Sequence, residues 1–370
     1  MIHIVEPTLA SEAGHCHSFV ESVCAARREG EDGITVYAGS RVRLPRIQAM
    51  GIRVVPYFHR RIRKPEAFLL YRKLLRESGR IFIPTAGRAD LTMLSLASGR
   101  SIPSEKAFLY FHWVKPDPSK GDFFRDTARK QPNLTVMGPT DSVVGVFREC
   151  GFPDVRIVPY PGSPAPAETD GADGVFRHVL YAGAARRDKG FPAVVDFVRS
   201  VAESGTDIPL AVQASPDHYG KFDEGIPAEV DRLRKISSAR LTILPETLDA
   251  REYRAQFAGA IVLQPYSMED FADRISGVTL DAFSAGAPVI ATAGTWMARM
   301  AARFDAGVPL ADPSLHSIRS AVEAVRAEYP RFCRNAFHAG SVLRKEHDAR
   351  LLLEVLLSAD EDNPGAGYAM

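Results

Sequence analysis

The chain has 370 residues, of which 25% are charged and 45% hydrophobic, with a formal net charge of +1. Such a length is too great for one small core and suits two domains. The near-neutral balance gives no whole-protein attraction to nucleic acid, and no apolar run approaches the ~18 residues of a membrane helix.

Met1–Pro7 lacks a basic start and turns polar at once, so it reads as a first strand and not a signal peptide. Further short runs rich in Val, Ile, Phe and Tyr follow at Ile34–Tyr37, Arg53–Pro56, Ile81–Pro84, Phe108–Phe111, Leu134–Met137 and Arg156–Pro159. Each ends in Gly, Pro or polar residues, as strands do. Helical patterns lie between several of them, the first with Phe19, Val20, Val23 and Cys24 on one face. "GSPAPAETDGADG" (Gly162–Gly174) has no periodic apolar face and reads as a linker. The alternation then restarts at Val179–Ala182, Leu210–Gln213, Leu241–Leu244, Ala260–Leu263 and Val289–Ala291, and Ser341–Ala359 carries a helical stripe of Leu351, Leu352, Val355 and Leu356.

This is the pattern of α/β chains with parallel sheets covered on both faces. The expected fold is two Rossmann-like, doubly wound domains facing a cleft. Residues 1–162 form the first, 163–175 the linker, 176–340 the second, and 341–370 a helix and tail that can return to the first. Ligands in such sheets bind beyond the carboxyl ends of the strands. Cys16, Cys24, Cys150 and Cys333 form no C-x-x-C pair, and a reducing cytoplasm is the simplest compartment.

Two stretches carry candidate chemistry. In "ADRISGVTLDAFSAGAPVIAT" (Ala272–Thr292), a short helix over Val278–Ala285 is stopped by Gly286 and Pro288. Its amino end at Ser276–Gly277 offers free N–H groups to an anion, and Gly277 has no side chain in the way. Asp281, four residues on, leans toward that end and is placed to accept from hydroxyls, such as those of a ribose. Asp273 in the preceding loop is placed to accept from a second set. The plain alternative is a solvated Asp281 on a surface helix. In "LYAGAARRDKGF" (Leu180–Phe191), a strand and Gly183 lead to Arg186, Arg187 and Lys189 before a helix, an arrangement able to hold a diphosphate or merely a solvated basic turn.

Together these stretches resemble the retaining glycosyltransferases of the GT-B fold, family 4. Gly183 stands six residues before Lys189–Gly190 as in that family, and its Glu-x7-Glu motif has the form Asp273-x7-Asp281, followed by "AFSAGAPVIAT". "VRIVPYPGS", "FLYFHW", "RISGV" (Arg274–Val278) and "GTWMA" extend the likeness, the last two toward a bacterial subgroup with "RGSGV" and "GTW". The resemblance implies that Lys189, with Arg186 or Arg187, binds the donor diphosphate near Gly183. Arg274, Ser276, Gly277 and Val278 belong to the same site, with Ser276 and Gly277 offering N–H groups. Asp281 holds the ribose and Asp273 the transferred sugar. His112 sits near that sugar, and Gly14 and His15 face the donor from the amino domain. The implied catalytic set is His112, Asp273 and Lys189. The implied reaction moves a hexose from a UDP- or GDP-sugar to a hydroxyl of a carbohydrate or lipid-linked acceptor, with retention and with neither metal nor cofactor. Two departures stand out: Ala184 replaces the arginine after the glycine, and both glutamates are aspartates, so Glu269 or Asp270 is an alternative to Asp273. An inverting enzyme would need a base, for which His112 and His15 are candidates. A sugar-nucleotide epimerase and a catalytically silent nucleotide-sugar-binding protein remain open, and the base is expected near the region after Leu244.

"GHCHS" (Gly14–Ser18) suggests a metal only superficially, since adjacent ligands do not make a closed site. "YFHRRIRKPEAFLLYRKLLRESGR" (Tyr57–Arg80) mixes basic and apolar residues. It reads either as a core-facing helix with solvated cations or as a surface for anionic lipid or a charged acceptor, which would place the protein on the inner face of the membrane.

Overall fold

The computed structural model describes residues 1–12, 14–31, 33–115, 117–162, 174–216 and 222–358. Its amino-terminal half runs β1 (Ile2–Val5), α1 (His15–Ala25), β2 (Ile34–Gly39), α2 (Pro45–Ala49), β3 (Arg53–Phe58), α3 (Arg63–Leu74), β4 (Arg80–Ile83), α4 (Arg88–Ser98), β5 (Ala107–Tyr110), α5 (Pro118–Lys130), β6 (Thr135–Gly138), α6 (Asp141–Glu149) and β7 (Asp154–Ile157). The second half runs β8 (His178–Tyr181), α7 (Phe191–Ser204), β9 (Leu210–Gln213), α8 (Ile226–Arg234), β10 (Leu241–Leu244), α9 (Ala250–Ala255), β11 (Ala260–Gln264), α10 (Met268–Phe271), α11 (Gly277–Ser284), β12 (Val289–Thr292), α12 (Trp296–Arg303), β13 (Gly307–Leu310), α13 (Leu315–Ala327), α14 (Tyr329–Glu346) and α15 (Ala349–Leu357).

The strands form two sheets, ordered β3-β2-β1-β4-β5-β6-β7 and β10-β9-β8-β11-β12-β13. Every pairing is parallel. Alternation explains why both faces carry helices. Phe108 and Tyr110 of β5 enter one apolar cluster, while Ala107 and Leu109 enter the other. A strand buried on both sides must be apolar throughout, which is how these runs read. In each sheet the order reverses between two neighbours, β1/β4 and β8/β11, and the crevices beyond those strand ends are where ligands bind in such folds.

The expected strands are present, within two residues at each boundary. β13 was not expected: its "GVPL" carries too few branched residues to stand out. The linker falls mostly on residues 163–173, outside the described ones. The single helix expected over Ser341–Ala359 is instead two. α14 begins at Tyr329, and α15 starts anew where the Asp348 side chain accepts from the Arg350 N–H at 2.8 Å. α14 packs against α11 so closely that a Cβ on Gly340 would stand 2.4 Å from the Phe283 carbonyl oxygen. α15 packs on α1, where Arg350 donates to Glu31 at 2.8 Å and to the Ala26 carbonyl at 3.3 Å. The chain's end thus supports both halves.

Candidate functional site

The Gly183–Gly190 turn leaves β8 at the switch point of the second sheet. Gly183 has φ +102°, and its N–H donates to the buried Gln213 side chain at 2.6 Å. Gly190 has φ +67°, and a Cβ there would lie 2.0 Å from the Pro265 carbonyl oxygen, so both backbone angle and space demand glycine. The loop is therefore pinned against the end of β11, and Ser267 N–H donates to the Asp188 carbonyl at 2.8 Å.

This pinning brings two distant stretches together. A Cβ placed on Gly183 would lie 3.1 Å from Lys189 Nζ and 4.0 Å from the Val278 side chain, next to the exposed Gly277. Nothing stands within 4 Å of a Cβ on Gly277. The amino end of α11 is held by a closed buried network. Gln264 donates to Ser276 Oγ at 3.1 Å, Thr279 Oγ1 donates to Gln264 at 2.7 Å, and Ser276 Oγ caps Thr279 N–H at 3.3 Å. The first N–H groups of a helix have no partner within it, so α11 presents a rigid anion-accepting end beside Lys189.

Lys189 is half-buried, its ammonium 5.6 Å from the centre of the Tyr266 ring. Its pKa is lowered to about 8, first by burial, then by Arg186 and Arg274, with Asp188 opposing. Arg274 is likewise lowered by burial and by Arg186. Three cations thus crowd one another around one carboxylate, Asp188, which pairs with Arg186, and a further anion among them relieves the remaining repulsion. Arg187 takes another direction: exposed, it donates to the Glu224 carbonyl at 3.3 Å. Of the two arginines that could join Lys189 at the diphosphate, Arg186 lies beside it and Arg187 turns to Glu224.

Asp281 is half-buried and faces the Tyr253 hydroxyl, whose pKa burial and this carboxylate hold well above its usual value. The solvated reading of Asp281 does not hold. Asp273 pairs with Arg299 of α12. Glu269 and Asp270 both face Lys115 of the amino half, the latter at 3.7 Å.

Across the cleft, His112 follows β5. Its Nε2–H donates to the Pro84 carbonyl at 2.7 Å, which leaves Nδ1 as an acceptor. Burial lowers its pKa to about 4, the Pro84 bond opposing and Arg274 adding to the shift, so the ring is neutral. His15, exposed at the start of α1 after Gly14 (φ +82°), lies 6.0 Å from it between ring centres. Trp113 meets the Arg274 guanidinium at 5.6 Å, so the two halves touch at the site. Beneath, the buried Glu6 accepts from Thr8 N–H at 3.0 Å and from the Thr8 and Thr85 hydroxyls, tying the ends of β1 and β4.

Sequence reasoning missed Asp188, Trp113, Lys115 and Tyr266. Each sits inside or beside a stretch already singled out, but its partners lie far off in the chain. His17 turns inward beside Glu21, and among the described residues no group of His, Cys, Asp and Glu is placed to hold a metal ion.

The chain matches no family model and no curated protein. It is similar to solved structures across nearly its whole length. These include sucrose-phosphate synthase from Thermosynechococcus elongatus, at 12% identity and TM-score 0.69, covering 96% of both chains. HepE of Anabaena in complex with UDP-glucose aligns at 11% identity and TM-score 0.68, covering 96% of this chain and 97% of that one. A glycosyltransferase from Rickettsia africae aligns at 10% identity and TM-score 0.68, covering 97% and 99%. The shared architecture is the two-domain GT-B fold expected from the sequence.

Proposed function

We propose that the protein is a glycosyltransferase that moves a hexose from a UDP- or GDP-sugar to a hydroxyl of a carbohydrate or lipid-linked acceptor, with retention, in polysaccharide or glycolipid assembly. One observation carries this reading: Lys189, Arg186 and Arg274 gather beside the open amino end of α11, a set of donors suited to one diphosphate. That HepE, of similar fold, is seen with UDP-glucose supports the choice of ligand.

In this reading the bond between sugar C1 and the β-phosphate oxygen breaks, and its electron pair leaves with the phosphate. The acceptor oxygen bonds to C1 on the same face, and its proton passes to the leaving phosphate. Charge builds on the diphosphate, and fixed cations stabilise it without a metal. His112 Nδ1 accepts from a sugar hydroxyl, Asp281 from the ribose. Gly14 and His15 close the donor site from the amino half. Asp273 reaches the sugar once its pairing with Arg299 is exchanged. A base for inversion is poorly served by His112, since a pKa of about 4 makes it weak.

The test is incubation with a panel of nucleotide sugars, following donor loss by NMR. Turnover of one UDP- or GDP-sugar to nucleoside diphosphate, faster with an acceptor present, is expected. Release of an altered sugar nucleotide without acceptor would instead favour an epimerase. Binding without turnover would favour a nucleotide-sugar-binding protein, and neither binding nor turnover would end the proposal.

We also propose that the protein is cytoplasmic and peripheral to the inner face of the cell membrane. Ala67, Leu70, Tyr71 and Leu74 of α3 face the core, while Ile62 and Leu69 are 52% and 58% exposed among the exposed Arg60, Arg61, Lys64, Arg72 and Lys73. No described helix is long and apolar enough to cross a membrane. Sedimentation with vesicles containing phosphatidylserine is expected, and it should fall at least severalfold on neutral vesicles and in an Arg72→Glu/Lys73→Glu variant. Equal sedimentation with both lipids would remove the membrane from the proposal.

A further inference from the structure

The cation cluster contains one anion that the roles above leave unused. Asp188 lies between Arg186 and Lys189 in sequence. One oxygen of its carboxylate accepts from Arg186. The other, Oδ1, is buried and makes no hydrogen bond. The backbone around it is fixed by the Ser267–Asp188 bond and by Gly190 against Pro265. A carboxylate held in a site meant for phosphate works against phosphate, so its presence asks for a reason.

We propose that Asp188 is a built-in counter-anion of the diphosphate site: it positions Arg186 for the work of the arginine that Ala184 replaces, and it favours the donor over the released nucleoside diphosphate. This rests on the proposed donor reading.

In a nucleotide sugar the diphosphate is a diester carrying two negative charges. After transfer and loss of the acquired proton, the nucleoside diphosphate carries three near neutral pH. A site of three cations alone would gain most from the product and hold it. A fixed carboxylate among them repels the trianion more than the dianion, so the empty site refills with donor more readily. The same carboxylate holds Arg186 in the cleft, while the neighbouring Arg187, without such a partner on this side, extends toward Glu224. Asp188 is therefore a positioning residue that touches the ligand only through Arg186 and through its field.

The test is Asp188→Asn, which keeps an oxygen for Arg186 and removes the charge. Affinities for UDP and UDP-glucose, and for GDP and GDP-glucose, are measured by calorimetry at about pH 7. In the water-like limit, one charge a few ångströms away is worth about threefold per unit of ligand charge. Nucleotide-sugar binding should tighten about tenfold and nucleoside-diphosphate binding about thirtyfold, so preference shifts about threefold toward product. Asp188→Ser, which also frees Arg186, should weaken both ligands relative to Asp188→Asn yet show the same shift in preference. Should Asp188→Asn leave the preference unchanged, or weaken nucleoside diphosphate as Arg186→Ala does, the carboxylate is only a brace and the inference fails. Should the unaltered protein bind neither UDP nor GDP, the donor reading fails first, a result distinct from unchanged preference.

Discussion

Lys189→Ala is expected to weaken nucleoside-diphosphate binding about a hundredfold while leaving nucleoside binding within about twofold. A charge-assisted hydrogen bond in a partly dry site is worth about 1.5–3 kcal/mol, and a hundredfold is about 2.7 kcal/mol. Arg186 and Arg274 already crowd the lysine, so they cannot move into its place without meeting each other. Transfer rate should fall at least as far, because the same charge meets the phosphate as negative charge grows on it. Calorimetric titration with UDP, GDP, uridine and guanosine checks this. Equal losses for nucleoside and nucleoside diphosphate would show that the lysine supports the fold of the turn and does not meet phosphate.

Raising the pH through about 8 is expected to reduce diphosphate affinity by up to about tenfold per unit, until the pKa of the bound lysine is reached. The sign follows from burial. Lys189 has its pKa lowered from 10.5 to about 8 in the empty protein. Below that value it is charged and ready. Above it the site is neutral at this position, and binding must first restore the proton, which a diphosphate favours by raising the pKa again. Binding above about pH 8 should therefore take up protons, visible as a dependence of calorimetric enthalpy on the buffer. The same shift acts on stability. The unfolded lysine keeps its proton up to 10.5 and the folded one does not, so this group's contribution to stability rises with pH between about 8 and 10.5. In Lys189→Ala both trends should vanish. A flat affinity from about pH 7 to about pH 9 in the unaltered protein would overturn the assignment.

Much of the architecture is legible in the residues themselves. Runs such as Ile2–Val5 and Leu210–Gln213 are branched, apolar and short, and their ends are marked by polar residues, so strand limits fall within two residues of those observed. β13 is diluted by Gly307 and Pro309, and the buried stripe of α14 runs on through small residues, Cys333, Ala336, Ala339 and Gly340, which do not stand out in the string. At the site, the glycines at 183 and 190 and the capped start of α11 leave local traces, because each obeys a rule about its own backbone. What the sequence conceals is direction and partnership. Arg186 and Arg187 look alike in a string and differ by the way each side chain leaves the turn. Asp273 meets Arg299, and Glu269 meets Lys115 from the other half, pairings set by the approach of whole elements.

The meeting of Gly162 with His347 carries one more consequence. The Gly162 N–H bonds to the His347 carbonyl at 2.9 Å, and His347 Nδ1–H bonds to Tyr160 at 2.8 Å, just where the chain passes from α14 on one half to α15 on the other. The chain thus ends its first half at a point bonded to its later crossing from α14 to α15. A body tethered by a single thread can swing in any direction, but one strapped twice at adjoining points turns about the line through the straps. Were Trp113 to part from Arg274, the movement would turn about those joined crossings, and the Lys115 contacts with Glu269 and Asp270 would have to break with it.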